Sequence, residues 1–550
     1  MLPQKRKQMT PLKLSAGIQT FEKLRNENCI YVDKTKYFID LIDNGSAYFL
    51  SRPRRFGKSL TISTFDAIFS GKKEMFKGLY AEEFLNRPDF SPFPVIHLDM
   101  SVISTDQGIE LLEESICNLT KRVAKSLNVK LPDSKIYGDL FSELIYETSQ
   151  KYNQKVVILI DEYDKPYTDF INDPNMAEIV RKKLRNYYSQ IKANEKHIRF
   201  IFITGIAKYT KMGVFSTLNN LIDISPMIKY SEICGLTEEE IIKYFSYHLK
   251  ETSDKFKIST EELIKRMKHY YNGFCFDETG EARLYNPFST LYFFFSQSFS
   301  NYWFESATPS FLSEYIKARK LTIEQFRNFP ISKDFIYNSV ELEKASPENF
   351  LYQSGYLSLR PGTSDYLSLD YPNTEVLNSM SALLTQNILH DNDDNFSYCR
   401  NDLIKALTTS NYEKAISAFN RLLASVPYDD FSKAAQQSIS NNDYEIKPQE
   451  WLYRSTILAF LRGCGVLVFG EMHTSKGRAD LIVSHNQNTW VIEIKVAYNG
   501  ECPKQKAEEA LKQIMDKNYA KQFPVALCIG LAIDDEKREI TEWAVDKKTF

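Results

Sequence analysis

Four apolar runs constrain this chain more than any other feature: SAYFLS (46–51), PVIHLDM (94–100), VVILID (156–161) and IRFIFITG (198–205). A strand with one face in water alternates polar and apolar residues, whereas a near-continuous apolar strand must be covered on both faces. The stretches between the runs have helical spacing, among them VDKTKYFIDLIDNG (32–45) and LTISTFDAIFS (60–70). Strands of this kind alternating with helices predict an α/β fold with a parallel sheet between helical layers.

At 550 residues the chain is too long for one core. We expect a basic N-terminal arm over 1–20, the parallel-sheet domain over 21–235 and a helical region over 236–330. A mixed connecting region over 331–440 and a compact α/β domain over 441–550 follow. LTEEEIIKYFSYHLK (236–250) reads as a helix with Thr237 and Glu240 as a capping box. The middle, 300–440, is aromatic and shows no chemistry. Its rings could stack on bases, but core packing is the commoner use.

Hydrophobic residues make up 43% and charged residues 25%, ordinary for a globular protein, and the net charge of -2 neither announces nor excludes a nucleic-acid partner. No run reaches the roughly 18–20 apolar residues of a membrane helix, and no apolar segment follows the basic N-terminus as in a signal peptide. The eight cysteines form no C-x-x-C pair, as expected of reduced thiols in a cytoplasmic protein without membrane contact. The seven histidines do not cluster; His473, near the C-terminal carboxylates, reads as structural.

RPRRFGKSL (52–60) lies between a strand and a helix, where a P-loop must lie. Arg54, Arg55, Phe56, Gly57, Lys58, Ser59 and Leu60 would form the phosphate cradle, with backbone N–H groups and the Lys58 ammonium on the phosphates and the Ser59 hydroxyl on Mg²⁺. The first glycine of the usual pattern is replaced by Arg52, and Arg52, Arg54 and Arg55 could add charge near phosphate. The competing reading is a solvated basic turn. VVILIDEYDKP (156–166) opposes it, because a pure apolar strand ending in Asp161 and Glu162 has the form of a Walker B strand. Asp161 would then face Mg²⁺ and Glu162 would polarise the attacking water. Thr204 ends the next strand where a γ-phosphate sensor would stand; Lys208, just beyond, could stabilise transition-state charge, though a surface lysine is the plainer reading. Two terminal carboxylates and an extra strand favour the additional-strand division of P-loop ATPases over the kinase–GTPase division.

A second constellation lies in RADLIVSHNQNTWVIEIKV (478–496). Glu493 and Lys495 stand two apart on one strand and so face the same side, and Asp480 on the preceding strand can join them. Two carboxylates suit Mg²⁺ or Mn²⁺, which acidifies its water and steadies charge on phosphate; Lys495 would orient the nucleophile. Alternating charges on an edge strand are the plainer alternative. Flanking helices around PQEWLYRSTILAFLRGCG (448–465) and QKAEEALKQIMDKNYA (505–520) set the pattern in a small α/β unit. Gln513, on the following helix, could orient the site, though an ordinary solvated face is the plainer reading. Lys476 and Arg478 could meet a phosphate backbone.

YVDKT (31–35), RPRRFGKSL, IDEYDKP (160–166), FITGIAKYT (202–210), YNGF (271–274), YNPFS (285–289) and LYQSGYL (351–357) resemble the AAA-ATPase-like family, whose members typically end in a PD-(D/E)XK nuclease-like domain. The likeness spans nearly the whole chain. It implies a P-loop NTPase parallel sheet, helical and mixed middle regions, and a small restriction-endonuclease-like α/β domain. By resemblance alone, YVDKT packs near the nucleotide base, RPRRFGKS is the family's own form of the loop, and Glu450 matches an extra acidic residue of many superfamily members. The expected activity is ATP binding and hydrolysis coupled to metal-dependent cleavage of nucleic acid, DNA ahead of RNA, in defence or mobile-element biology; a homo-oligomer is compatible with it. The rivals are a nucleotide-dependent switch or scaffold that binds nucleic acid without cutting, and a nuclease whose loop binds nucleotide without turnover.

Overall fold

The computed structural model of the chain describes residues 12–105, 109–134, 136–170, 173–208, 220–307, 326–337, 346–362, 366–388, 393–424, 448–474, 477–485, 488–521, 523 and 525–549. Most of the expected N-terminal arm, Lys476 and the 486–487 turn lie outside them, as do the side chains of His473 and Arg478. Those of Met1–Phe311 and Phe326–Glu375 form one compact unit, and those of Val376–Phe550 the other. Among the described residues no helix is long and apolar enough to cross a membrane.

The first unit is built on a sheet of β1 (Ala47–Ser51), β2 (Val95–Asp99), β3 (Val156–Asp161), β4 (Ile198–Gly205) and β5 (Ile222–Asp223), in the order β2-β3-β4-β1-β5. Every pairing is parallel. All six residues of β3 are buried, as a strand covered on both faces requires. β4 stands between β1 and β3, which is the additional-strand P-loop architecture. The two-residue strand β5 escaped the periodicity reading because it is too short to show any.

Helix α1 (Lys58–Phe69) leaves the end of β1 and covers the sheet with aromatic side chains. Phe65 packs on Phe202 at 4.6 Å and Phe69 on Phe200 at 5.0 Å between ring centroids. Burying each such ring stabilises by roughly 1.5–3 kcal/mol, so α1 is pinned at its far end while its first turn stays at the sheet's edge.

The helical region begins at a complete capping box, Thr237 with Glu240. The single helix expected over 236–250 is two, α2 (Glu238–Tyr244) and α3 (Ser246–Phe256). Phe245 breaks them with φ −111° and ψ 19°, buried and stacked on Phe294 at 5.3 Å; burial of that ring overrides the helix. Tyr271, Phe293 and Phe299 of this region pack together, and in the aromatic middle the described rings of Trp303 and Tyr356 are buried against each other at 5.3 Å. An antiparallel sheet of β6 (Phe329–Ser332), β7 (Ser358–Arg360) and β8 (Tyr366–Asp370) follows, in the order β6-β8-β7.

The second unit carries a mixed sheet of β9 (Leu467–Thr474), β10 (Gly477–His485), β11 (Asn488–Ala497), β12 (Val525–Asp534) and β13 (Glu539–Thr549), ordered β13-β12-β11-β10-β9. Only β11 and β12 run parallel. Parallel neighbours need a crossover, and α5 (Pro503–Asp516) supplies it, following α4 (Pro448–Gly463) in the chain. Gly530 lets α5 lie close on β12: a Cβ there would stand 2.3 Å from Ala507 O and 2.5 Å from Leu511 N. Along β11, Trp490, Ile492, Ile494 and Val496 join the core that holds Ile457 and Phe460 of α4. Val491 alternates to the other side, with Ile514 of α5. That alternation places Glu493 and Lys495 together.

Candidate active sites

The chain leaves β1 through Arg52, whose N–H donates to Gly205 O at 3.2 Å, and turns at Arg54–Arg55 before entering α1. Arg55 (φ 63°) and Gly57 (φ 98°) take left-handed backbone, and no atom lies within 4 Å of a Cβ built on Gly57. The glycine answers to backbone conformation and not to crowding. Phe56 is buried edge-on to Phe274 and Phe276 and anchors the turn. Lys58 is buried and donates to Arg52 O and Pro53 O, each at 2.9 Å. Loss of water pushes its pKa down, against the pull of Glu162, Asp161 and Asp164. An ammonium whose hydrogen bonds go to two neutral carbonyls keeps its charge for an anion, so this loop fits a polyphosphate. Ser59 and Leu60 follow on the first turn of α1, half-buried.

Arg52 corrects one expectation. Its guanidinium donates to Ser51 O and Ser225 O, each at 2.9 Å, and lies over the Phe276 ring at 4.6 Å with 1% of the residue exposed. It braces the loop from behind and adds no charge on the phosphate side. Arg55 lies over Phe288 at 5.0 Å, and Arg54 O accepts from the Trp303 indole at 2.9 Å.

β3 and β4 bring Asp161, Glu162 and Thr204 together. Thr204 Oγ1 donates to Asp161 Oδ1 at 2.5 Å, and the Glu162 N–H donates to the same oxygen at 3.0 Å. Glu162 has φ 49° and its pKa is raised, by burial first, with Lys58 opposing and Asp161 adding. Asp164, unread in the sequence, is fully buried and accepts from the N–H groups of Ile206 (2.9 Å) and Ala207 (3.1 Å). Burial raises its pKa to about 6. It wedges under Gly205, where a Cβ would meet Asp164 Oδ1 at 2.8 Å. Its position at the end of IDEYD was the available signal. Lys208 is paired with Asp223 at 2.9 Å. A cavity of about 100 Å³ opens beside Gly57, Leu60 and Thr61, lined also by Ile30, Tyr31 and Val32.

In the second unit the described β10–β11 pairing ends at Leu481↔Ile492. There the Ile494 N–H donates to Asp480 Oδ2 at 2.9 Å, and the Asp480 N–H to Glu493 Oε2 at 3.3 Å. Lys495 Nζ stands 3.8 Å from Glu493 and 3.5 Å from Glu450. Asp480, Glu493, Lys495 and Glu450 therefore share one cluster. Gln513 is not part of a solvated face: its amide donates to Glu493 Oε1. Arg454 of α4, also unread, donates to Asp480 Oδ1 at 3.1 Å; it lies four residues after Glu450, on the same helical face. Burial pushes the Glu493 carboxyl up to about 8, with Asp480 adding and Lys495 opposing. Burial raises Glu450 as well. Among the described residues no group of three or more His, Cys, Asp or Glu side chains is arranged to hold a metal ion, but Asp480 and Glu493 supply two buried carboxylates of the hard-oxygen kind that a divalent cation takes.

A family model described as a predicted AAA-ATPase (AAA-ATPase-like) matches residues 15–215, and one for the PD-(D/E)XK nuclease superfamily matches residues 448–543. An uncharacterized protein in the vnfD 5' region of Azotobacter chroococcum mcd 1 is 32% identical over 551 residues, 98% of this chain and 99% of that one. Among solved structures, Cdc6p of Pyrobaculum aerophilum is 13% identical, covering 64% of this chain and 91% of its own at a TM-score of 0.24. The ORC1 protein of Aeropyrum pernix, solved in complex with DNA, is 10% identical, covering 63% and 91% at 0.26. The fold described above rests on strand order and not on these two distant likenesses.

Proposed function

The chain belongs to the AAA-ATPase-like family and carries a PD-(D/E)XK nuclease superfamily domain over residues 448–543, and from that premise we propose that it binds and hydrolyses ATP and cleaves nucleic acid with a divalent cation. The observation that carries the first half is the buried Lys58 ammonium held by carbonyls beside Asp161 and Glu162. Residues Arg54–Leu60 wrap the phosphates through backbone N–H groups and Lys58. Ser59 and Asp161 would hold Mg²⁺, which when bound neutralises phosphate charge. Glu162 accepts the proton of the attacking water, and Thr204 holds Asp161 in place. The small cavity behind YVDKT suits the base.

The gathering of Asp480, Glu493, Lys495 and Glu450 carries the second half. Asp480 and Glu493 would hold Mg²⁺ or Mn²⁺, which when bound supplies an acidified water and charge for phosphate. Lys495 orients the nucleophile, Gln513 fixes Glu493, and Glu450 holds Lys495. DNA is the favoured substrate.

One observation favours a second reading, a nucleotide-driven switch that grips nucleic acid without cutting it. Both oxygens of Asp480 and of Glu493 already accept hydrogen bonds from protein donors. One experiment separates the readings. Purified protein is given linear and circular DNA and RNA with Mg²⁺ or Mn²⁺, with and without ATP, beside Lys58→Ala, Glu162→Gln and Asp480→Ala. The cleavage reading expects products that vanish with Asp480→Ala and phosphate release that vanishes with Lys58→Ala. Binding without products from the wild type would favour the switch, and ATP hydrolysis at the wild-type rate in both P-loop-domain variants would overturn the nucleotide assignment.

A further inference from the structure

Glu450 and Arg454 are one helical turn apart, so both leave the same face of α4. Glu450 goes to Lys495, and Arg454 goes to Asp480 Oδ1. The Arg454–Asp480 pair is buried, with 5% of the arginine and 8% of the aspartate exposed. The C-terminal cluster thus contains three carboxylates and two cations of its own. Attraction within a buried pair of this kind offsets part of the loss of water on both partners, and it orients the Asp480 carboxylate. Asp480 is also one of the carboxylates that would hold a divalent cation, so the guanidinium and the ion would compete for it. A guanidinium and a dication on one carboxylate repel each other, so each weakens the binding of the other.

A planar guanidinium binds phosphate as readily as carboxylate, through paired N–H donors. A nucleic-acid backbone entering the site offers it that alternative. We propose that Arg454 is a positioning residue that locks Asp480 in the metal-free site, and that metal loads when the guanidinium passes from Asp480 to a backbone phosphate. The inference rests on the nuclease reading above. It makes nucleic acid favour metal binding, so that the free protein loads its cutting site less readily than the bound one.

The test is calorimetric titration of Mn²⁺ into the full-length, nucleotide-free protein. Arg454→Gln should bind Mn²⁺ about tenfold more tightly than wild type, a coupling of ordinary size, whereas Arg454→Lys, which keeps the charge, should stay near wild type. A DNA duplex with cleavage-resistant phosphorothioate linkages should tighten Mn²⁺ binding to wild type by a similar factor and leave Arg454→Gln unchanged. A merely supporting arginine would give the opposite sign, and Mn²⁺ affinity in Arg454→Gln equal to or weaker than wild type overturns the lock. Should that variant fail to fold, the wild type decides alone: no tightening by the duplex overturns it. Asp480→Ala separates the two levels, because Mn²⁺ binding that survives it removes the metal assignment itself, while binding lost there with no effect of Arg454 removes only the lock.

Discussion

Thr204, the penultimate residue of β4, donates its hydroxyl to Asp161 at the end of β3, 2.5 Å away and with both residues buried. The extra strand between β1 and β3 therefore does more than widen the sheet. It sets a neutral donor on a carboxylate and fixes which way that carboxylate points. Replacing Thr204 with valine keeps the shape and removes the donor, which leaves a buried acceptor short of a partner at a cost of about 1–3 kcal/mol. We predict that Thr204→Val retains nucleotide binding but loses about tenfold in turnover, and that Thr204→Ser recovers most of it. Steady-state phosphate release together with nucleotide titration checks this; an unchanged rate in Thr204→Val would show that Asp161 needs no such brace.

Asp164 supplies a prediction in pH. Its ordinary pKa of 3.8 is raised to about 6 in the folded chain, first by burial, with the Ala207 and Ile206 N–H groups and Lys58 opposing. Below 3.8 the carboxyl is protonated in both states and contributes nothing. Between 3.8 and about 6 the unfolded chain ionises first and binds fewer protons, so stability falls as pH rises. The full cost, on the order of 3 kcal/mol, is present above that window. Asp164→Asn cannot ionise and should lose this slope. Denaturant unfolding of both proteins between pH 4 and pH 7 should show wild type falling relative to the variant, and parallel curves would contradict the assignment.

At the second site, Asp480→Ala, Glu493→Ala and Lys495→Ala should each abolish cleavage, and chelation of divalent cations should do the same to wild type. One carboxylate cannot hold and orient the ion alone. Gln513→Ala should be milder, about a tenfold loss, because it frees the Glu493 carboxylate without removing it. Gel assays on purified variants, with thermal unfolding as a control for folding, measure this series. Cleavage that survives all three alanine substitutions would point to a contaminating nuclease.

What was legible in the sequence follows from where periodicity carries information. VVILID can be buried in only one way, so β3 and its terminal Asp161 were readable. The two-residue period of a strand places Glu493 with Lys495, and Thr237 with Glu240 announces a helix start. β13 was missed because its Glu542, Asp546, Lys547 and Lys548 resemble a solvated tail, although the strand sits at the edge of a sheet where charge is tolerated. The direction of Arg52 could not be read, since its partners Ser225 and Tyr230 lie far along the chain and no local pattern says where a guanidinium points. Arg454 was readable in principle, four residues after Glu450 on one helical face. Gln513 was readable only as an alternative, because its face of α5 is polar and becomes a site only when β11 is laid beneath it.

Linkage between the two proposed activities can be measured. An ATPase and a nuclease in one chain make physical sense if nucleotide state alters how the C-terminal domain meets nucleic acid. A ligand shifts such an equilibrium only by its differential affinity for the two states, and the coupling is reciprocal, so DNA must change ATP affinity by the same factor as ATP changes DNA affinity. We predict a several-fold change in DNA affinity on adding a non-hydrolysable ATP analogue, in the 5–150-fold range usual for coupled sites, and no change in Lys58→Ala, whose phosphate anchor is gone. Fluorescence anisotropy of a labelled duplex, with Ca²⁺ in place of Mg²⁺ to suppress cutting, measures one direction, and nucleotide titration with and without duplex measures the other. Equal dissociation constants in every nucleotide state would mean the two domains share a chain without sharing free energy, and each site would then have to be explained by itself.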